Sequence, residues 1–367
     1  LLCLKYFFHR FETAAQVQFA TFYALLTGSI TLLAEWFKIY LVPQPERYHL
    51  DMDQAFVLAL FCVLGTVSIA IPRRVKVAAI LLLIFAASSQ VHRIRRFARD
   101  WIQPIDMTAT SEYRIAKWFD RNMNGARVMA AGSTSYWMNA FTDTPQLGGG
   151  FDQGVVNPQD RVAQYIVLSG ENAGERDAEI SILWMRAFGI QAVAVGAEPF
   201  RNPRKFDGIL PLLWREGAAG IYRVPQRSAS LAHVVRREDL VSRAPIHGLD
   251  VSEIRKYDAA LDDPTLPAAE FRWTSRHSAE ITASMLPGQL LSVQESYHFG
   301  WRAAVNGSTR TIISDSLGLM AIEPDCTGQC VVELTYDGGW EMRIARWLSL
   351  LALIASGTIA VVPRPDS

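Results

Sequence analysis

The sequence predicts a membrane α-helical bundle joined to a soluble α+β region, in which a small α/β layer precedes an antiparallel, jelly-roll-like β-sandwich. Three observations carry this prediction. Four long apolar stretches lie at the two ends of the chain. Helical and strand periodicities alternate between about Asp106 and Pro225. From Phe271 onward, short runs of period two are separated by Pro-Gly, Asn-Gly and Gly-Gly pairs. Half of the 367 residues are hydrophobic and mean hydropathy is +0.11, too apolar for a wholly soluble chain and too polar for one that is all membrane. The 36 basic and 36 acidic residues balance. That excludes the basic excess usual for a nucleic-acid partner.

A bilayer core is crossed by roughly 20 apolar residues in helical form. Region 1–92 is expected to hold three such helices, at about 14–38, 54–71 and 75–91, and a fourth is expected over 344–362. The second stretch carries no charge, and the fourth is equally clean after Arg346. Buried core helices are normally polar on one side, which these are not. The basic loop Pro72–Lys76 and the basic start (Lys5, His9, Arg10) belong in the cytoplasm by the positive-inside rule. The acidic loop Pro43–Asp53 and the whole region between the third and fourth helices then lie outside. The basic run His92–Arg99 opposes this, but long domains translocate largely regardless of charge. Glu35 and Lys38, three apart near the end of the first helix, are expected to share one face. They read either as a functional intramembrane pair or as interfacial anchors beside Trp36 and Tyr40. The chain opens Leu1-Leu2-Cys3 with no signal-peptide pattern, and a fragment of a longer protein is expected.

In region 106–225, Ser111–Asn122 has apolar residues at helical spacing, with Thr110 or Ser111 as cap. A strand follows over Ala126–Ala131, then helices over Gln159–Leu168 and Ala178–Phe188, and a strand over Ile190–Val195. Leu212–Val224 reads as a hairpin closing the layer. Region 226–270 reads as a linker with a short helix. Region 271–342 holds the strands of the sandwich, with Pro287-Gly288, Asn306-Gly307 and Gly338-Gly339 as turns. Its last strand runs almost directly into the terminal apolar helix, which places the sandwich near the membrane. Cys326 and Cys330 fall at a hairpin tip. They are either a disulfide, as an oxidising compartment would allow, or two exposed thiols.

Phosphate-binding, dinucleotide, zinc-protease and nucleophile-elbow motifs are all missing, and the seven histidines have no metal-ligand spacing. No metal or cofactor is therefore evident. The Gly-rich stretch Trp137–Gly154 combines aromatic and amide groups suited to a sugar or a lipid headgroup. Trp137, Asn139, Asp143, Gln146, Asp152 and Gln153 are its candidate binding residues. The alternative is a structural Ω-loop whose glycines permit tight turns. Glu295, His298 and Trp301 form a second candidate group, for which core packing is the alternative.

The same residues carry a family resemblance. The pattern Glu295-Ser-Tyr-His-Phe-Gly-Trp301, Val305-Asn-Gly307, Asp315-x-x-Gly318-x-Met320 and Val332-x-Leu-x-Tyr336, followed by an apolar helix, resembles the C-terminal end of YfhO-type bacterial membrane proteins. It also resembles the tail of the wider multi-spanning glycosyltransferases of GT-C architecture. Phe141–Gln153 is similar to a loop of the bacterial group termed 6-pyruvoyl-tetrahydropterin synthase-related membrane proteins. The paired zinc-binding histidines of the true synthase are missing, so no pterin chemistry is implied. The resemblance covers about Tyr113 to the C-terminus. It implies a transferase in the bacterial cytoplasmic membrane that moves a sugar from a polyprenyl-phosphate donor to an acceptor outside. In that architecture the catalytic acid lies in an early external loop, and a divalent metal would enter only with that loop. Asp51 and Asp53 match no such motif, so no catalytic residue is assigned, and the residues above would recognise donor or acceptor. The competing expectation is a non-catalytic, membrane-anchored envelope protein whose outer domain binds glycan or a partner protein. A transporter subunit is a weaker one, since the last three apolar stretches carry almost no charge.

Overall fold

The structure, a computed structural model, describes residues 15–42, 45–66, 72–130, 132–149, 155–196, 202 and 204–361. Two compact units meet in sequence at Ile105 and Asp106.

Among the described residues, the first unit has the α-helices α1 (Ala15–Phe37), α2 (His49–Thr66) and α3 (Arg73–Trp101). The buried face of α1 is mostly of small residues (Ala20, Ala24, Thr27, Gly28, Thr31, Ala34), with Val17 and Ile30. A Cβ at Gly28 would lie 3.1 Å from the ring of Phe56 on α2, so glycine permits the close approach. The helix stops at Phe37 because Lys38 adopts a left-handed backbone (φ 56°). The amides of Lys38 and Ile39 then close on the carbonyls of Ala34 and Leu33. Lys38 is thus the terminating residue and not a helical partner of Glu35. The third helix does not end at Val91 as expected. No Gly or Pro interrupts the sequence between Arg73 and Trp101, and the helix continues through the basic run. Residues from Leu81 to Phe85 are all more than half exposed, on every side of α3. Such a helix is apolar all round, as helices covered by lipid or by other protein are.

Among the described residues two helices, Ala15–Phe37 and Val77–Trp101, are long and apolar enough to cross a membrane. The expected spans 54–71 and 344–362 continue into residues outside the described set, as do Cys3, Lys5, His9 and Arg10.

The second unit opens with α4 (Ser111–Asn122), capped by Thr110, whose hydroxyl accepts the amide of Tyr113 at 3.3 Å. A five-stranded sheet follows in the order β2 (Gln146–Leu147), β1 (Val128–Ala130), β3 (Ala192–Val195), β5 (Ala219–Arg223), β4 (Leu212–Glu216). Strands β2, β1 and β3 are parallel, β5 runs antiparallel to β3, and β4 runs antiparallel to β5. Strand alternation sends Val128, Ala130, Ala192 and Ala194 to one face, against α4 and α5 (Ser133–Phe141). Met129, Val193 and Val195 face α6 (Pro158–Ser169) and α7 (Asp177–Ala187).

The remaining strands are β6 (Ala232–Val235), β7 (Ala269–Ser275), β8 (Ser278–Met285), β9 (Leu290–Ser296), β10 (Trp301–Val305), β11 (Ser308–Ser314), β12 (Leu319–Glu323) and β13 (Gly328–Tyr336). They are antiparallel throughout, in the order β6-β9-β12-β11-β10-β13-β8-β7, and β11 turns the corner, pairing with β10 through Ser308–Arg310 and with β12 through Thr311–Ser314. The sheet folds over so that β6 and the start of β7 meet through a His233–Ala268 bridge. Inward residues of seven strands share a core that includes Val234, Ile281, Val293, Val305, Ile322 and Val332. Strand β6 lies inside the stretch expected to be linker, which also contains helix α8 (Ser252–Leu261).

Every residue of β9 from Leu290 to Gln294 is buried. Its second face is covered by the core of Trp184, Phe188 and Tyr257 that also fills the α/β layer. The Tyr257 and Ser292 hydroxyls are 2.8 Å apart across it. Asn306 and Gly307, both at positive φ, supply the β10–β11 turn. After β13, Gly338 and Gly339, also at positive φ, lead straight into α9 (Gly339–Val361).

Candidate functional site

The described part of the Gly-rich stretch, 137–149, contains the end of a helix and a short strand. Trp137 and Asn139 lie on α5, and Gln146 lies in β2. The Asn139 amide donates to the carbonyl of Gly149, while its oxygen accepts the Gln146 amide at 2.7 Å. Gln146 also donates to the carbonyl of Ser135 at 2.9 Å. These side chains clasp the chain after β2, and the Gln146 Oε1 is left buried without a partner. The Trp137 ring lies 5.6 Å from Phe141, which meets Tyr113 edge-on at 5.0 Å. Asp143 is exposed in the turn between α5 and β2, and Asp152 and Gln153 lie outside the described residues. Gly132, Gly148 and Gly196 follow the carboxyl ends of the three parallel strands, the edge at which open α/β sheets bind ligands.

Glu295 belongs to a different place. It pairs with the nearly buried guanidinium of Arg127, which also donates to the carbonyls of Phe188 (3.1 Å) and Gln294. Next to it, Asp160 on α6 accepts the Ser296 hydroxyl at 3.3 Å. Burial lifts the Asp160 carboxyl to about 6 against the opposing pull of Arg127 and Ser296, with Glu295 adding to the rise. Asp315 is lifted to about 6 by burial alone, against backbone amides of Leu319, Leu317 and Gly318. Its Oδ1 accepts the amides of Leu317 (2.9 Å) and Leu319 (2.8 Å). The Asp315-x-x-Gly318 pattern is thereby explained as the β11–β12 turn. Gly318 has φ 77°, and a Cβ there would stand 2.5 Å from Asn157 Oδ1. Asn157 caps α6 and donates to the carbonyl of Leu317 at 3.0 Å. This seam joins α6 to the large sheet.

His298 and Trp301 sit at the end of the sheet from which α9 leaves. The ring of Tyr336 is 5.4 Å from His298 and 5.2 Å from Trp301. The described site candidates therefore lie in three places, around β2, at the Arg127 pair and at the α9 end of the sheet. Among the described residues no group of three or more His, Cys, Asp or Glu is placed to hold a metal ion. Cys326 and Cys330 are joined as a disulfide with Cα atoms 6.3 Å apart.

One concavity among the described residues involves none of these side chains. A groove of about 780 Å³ runs along the outer face of α6, between Arg161, Val162, Tyr165 and Ile166, the Glu171–Asn172 turn, and His247–Leu249. Its volume is that of a small-molecule site. The floor is apolar (Val162, Ile166, Leu249), and the rim carries Arg161, Tyr165, Glu171, Asn172 and His247. The Tyr165 hydroxyl donates to Glu171, which fixes the ring at the rim. Two contacts set the groove's width. The Trp184 indole donates to the carbonyl of Gly248 at 2.8 Å. A Cβ at Gly248 would lie 2.9 Å from Ile166, so only glycine lets that loop come so close. The far end of α6 is held by the buried Lys205 ammonium, on the carbonyl of Val167 and on Asp177 at 2.7 Å. No sequence motif marks this groove, because its rim comes from segments some eighty residues apart.

No protein-family model matches the sequence, and no curated protein matches it. Solved structures of the mycobacterial arabinofuranosyltransferase AftD do. One mutant form is 12% identical with a TM-score of 0.35, over 87% of this chain and 38% of that one. Another AftD structure gives 12% and 0.34, over 88% and 37%. The chain thus spans well under half of the AftD length. A likeness this loose carries no functional argument.

Proposed function

We propose that this chain works in a polyprenyl-phosphate-sugar-dependent glycosyltransferase of GT-C type in the bacterial cytoplasmic membrane. Its part is to hold a saccharide, donor or acceptor, in the α6 groove of an extracytoplasmic domain during envelope glycan or glycolipid assembly. The groove is the observation that carries this reading. A sugar ring offers one face of C–H groups and a circumference of hydroxyls. Tyr165 and the apolar floor suit the first, and Glu171, Asn172 and His247 suit the second. The GT-C assignment itself rests on the sequence resemblance of the C-terminal strands. A second reading, a non-catalytic glycan-binding envelope protein, is favoured by the internal use of Asn139, Gln146 and Glu295.

The test is saturation-transfer NMR of the full chain in detergent with a panel of envelope-derived oligosaccharides. Transfer to at least one saccharide is expected, with loss in Tyr165→Ala and Glu171→Gln. No transfer to any saccharide, or transfer unchanged in both variants, would overturn the groove as the site. Incubating bilayer-reconstituted chain with labelled polyprenyl-phosphate sugars then separates transferase from binding protein.

A further inference from the structure

One end of the large sheet carries a continuous row of aromatic rings. Phe271 meets Trp273 at 5.1 Å, Trp273 meets Trp301 at 6.3 Å, and Trp301 meets Tyr336 at 5.2 Å. Tyr336 meets His298 at 5.4 Å, His298 meets Phe299 at 4.2 Å, and Phe299 stacks on Trp340 at 5.9 Å. Trp340 lies in the first turn of α9.

The register shows that this row marks one end of the sheet. Trp301 pairs directly with Tyr336, and the Tyr336 amide donates to the carbonyl of His277 in the β7–β8 turn. The β9–β10 connection is clasped to the helix junction. Asp337 donates its amide to the carbonyl of Gly300 at 2.9 Å, and a Cβ at Gly300 would lie 2.9 Å from the Gly339 amide nitrogen. The Asp337 carboxylate accepts the Gly339 amide at 2.8 Å and faces Arg343 (3.2 Å) and Arg302 (3.4 Å). The row and the start of α9 are therefore one rigid piece. Beyond it, Trp340 is 60% exposed and Trp347 66% exposed, and Ile344, Leu348, Leu351 and Ile354 are open as well.

Aromatic rings with a polar edge, interspersed with arginines and continuous with an apolar helix, are the composition of a protein surface at headgroup depth. We infer that this end of the sheet, with Trp273 and Trp301 beside Trp340, rests in the phospholipid headgroup layer and sets the outer domain's height and tilt. The inference rests on α9 crossing the bilayer, as the proposed function requires.

The test uses full-length chain in nanodiscs, with Cys3→Ser and Cys62→Ser and one labelling cysteine at a time. Trp273→Cys reports the row, Trp347→Cys reports α9, and Leu286→Cys reports the opposite end of β8. Each is labelled with an environment-sensitive dye and exposed to lipids whose quencher lies near the headgroup or deep in the chains. The dye at 273 is expected to lose roughly half its emission to the shallow quencher and little to the deep one, with no loss at 286. Quenching at 347 but not at 273 would overturn the inference while leaving α9 in the bilayer. Protection at 347 as well would remove the membrane reading beneath it. A dye at 273 that responds to added oligosaccharide and not to lipid would make the row a saccharide platform, and would also overturn it.

Discussion

Replacing Asp315 by Asn perturbs a single charge in a place where the rest of the geometry can stay. The carboxylate Oδ1 takes the amides of Leu317 and Leu319, while Oδ2 is buried without a partner. Burial lifts the group from 3.8 to about 6. At about 1.4 kcal/mol per pH unit, that rise costs the folded protein about 3 kcal/mol wherever Asp315 must be charged. The sign follows from linkage. Between about pH 4 and pH 6 the unfolded chain gives up this proton and the folded chain keeps it, so stability falls as pH rises through that window. The loss is complete above about pH 6 and absent below about pH 4. Asn keeps the Oδ1 contacts and removes the charge, but places an amide donor where Oδ2 had no partner, at a cost of about 1–2 kcal/mol. Asp315→Asn is therefore expected to be more stable than the parent by about 1–2 kcal/mol near neutral pH. The advantage should shrink and reverse towards about pH 4. Urea unfolding of the full chain in detergent, followed by tryptophan fluorescence across that range, measures it. A difference independent of pH, or a variant less stable near neutral pH, would refute the reasoning.

Two further substitutions test the seam between α6, the α/β layer and the sheet. Arg127→Ala removes the partner of Glu295 and the donor to two carbonyls, and is expected to destabilise the fold by about 3–5 kcal/mol; urea midpoints measure the loss. Gly318→Ala puts a Cβ against Asn157 at a residue with φ 77°, and should cost about 2 kcal/mol or more. Its signature in hydrogen exchange is faster exchange at the start of α6, while the far strands β7 and β8 are unchanged.

Much of the β region is legible in the sequence because its signals are local. Alternating β8 and β13 need only their own residues, and Asn306-Gly307 and Gly338-Gly339 announce their turns. Strand β6 is not legible. Ala232-His-Val-Val235 is too short for a pattern, and its partner β9 begins more than fifty residues later. Helix α5 is hidden in a similar way, since nine residues opening Ser-Thr-Ser have weak helical preference. The site residues show a different limit. Asn139 and Gln146 carry groups a sugar would want, but a nearby backbone wants the same groups, and only the fold decides between them. The Arg127–Glu295 pair joins residues 168 apart, and no spacing rule could have connected them.

The same seam explains why the groove is a credible place for recognition. Helix α6 has two working faces. Ala163, Ile166 and Val167 are buried against the core, and Arg161 and Tyr165 look out over the groove. Its start is fixed by Asn157 to the β11–β12 turn, and its end by Lys205 to α7. A helix held at both ends presents its outer side chains with little freedom left to lose on binding, which is what preorganised recognition requires. Asn139 and Gln146 hydrogen-bond instead to the chain around β2, and His298 and Trp301 pack on Tyr336 where α9 begins.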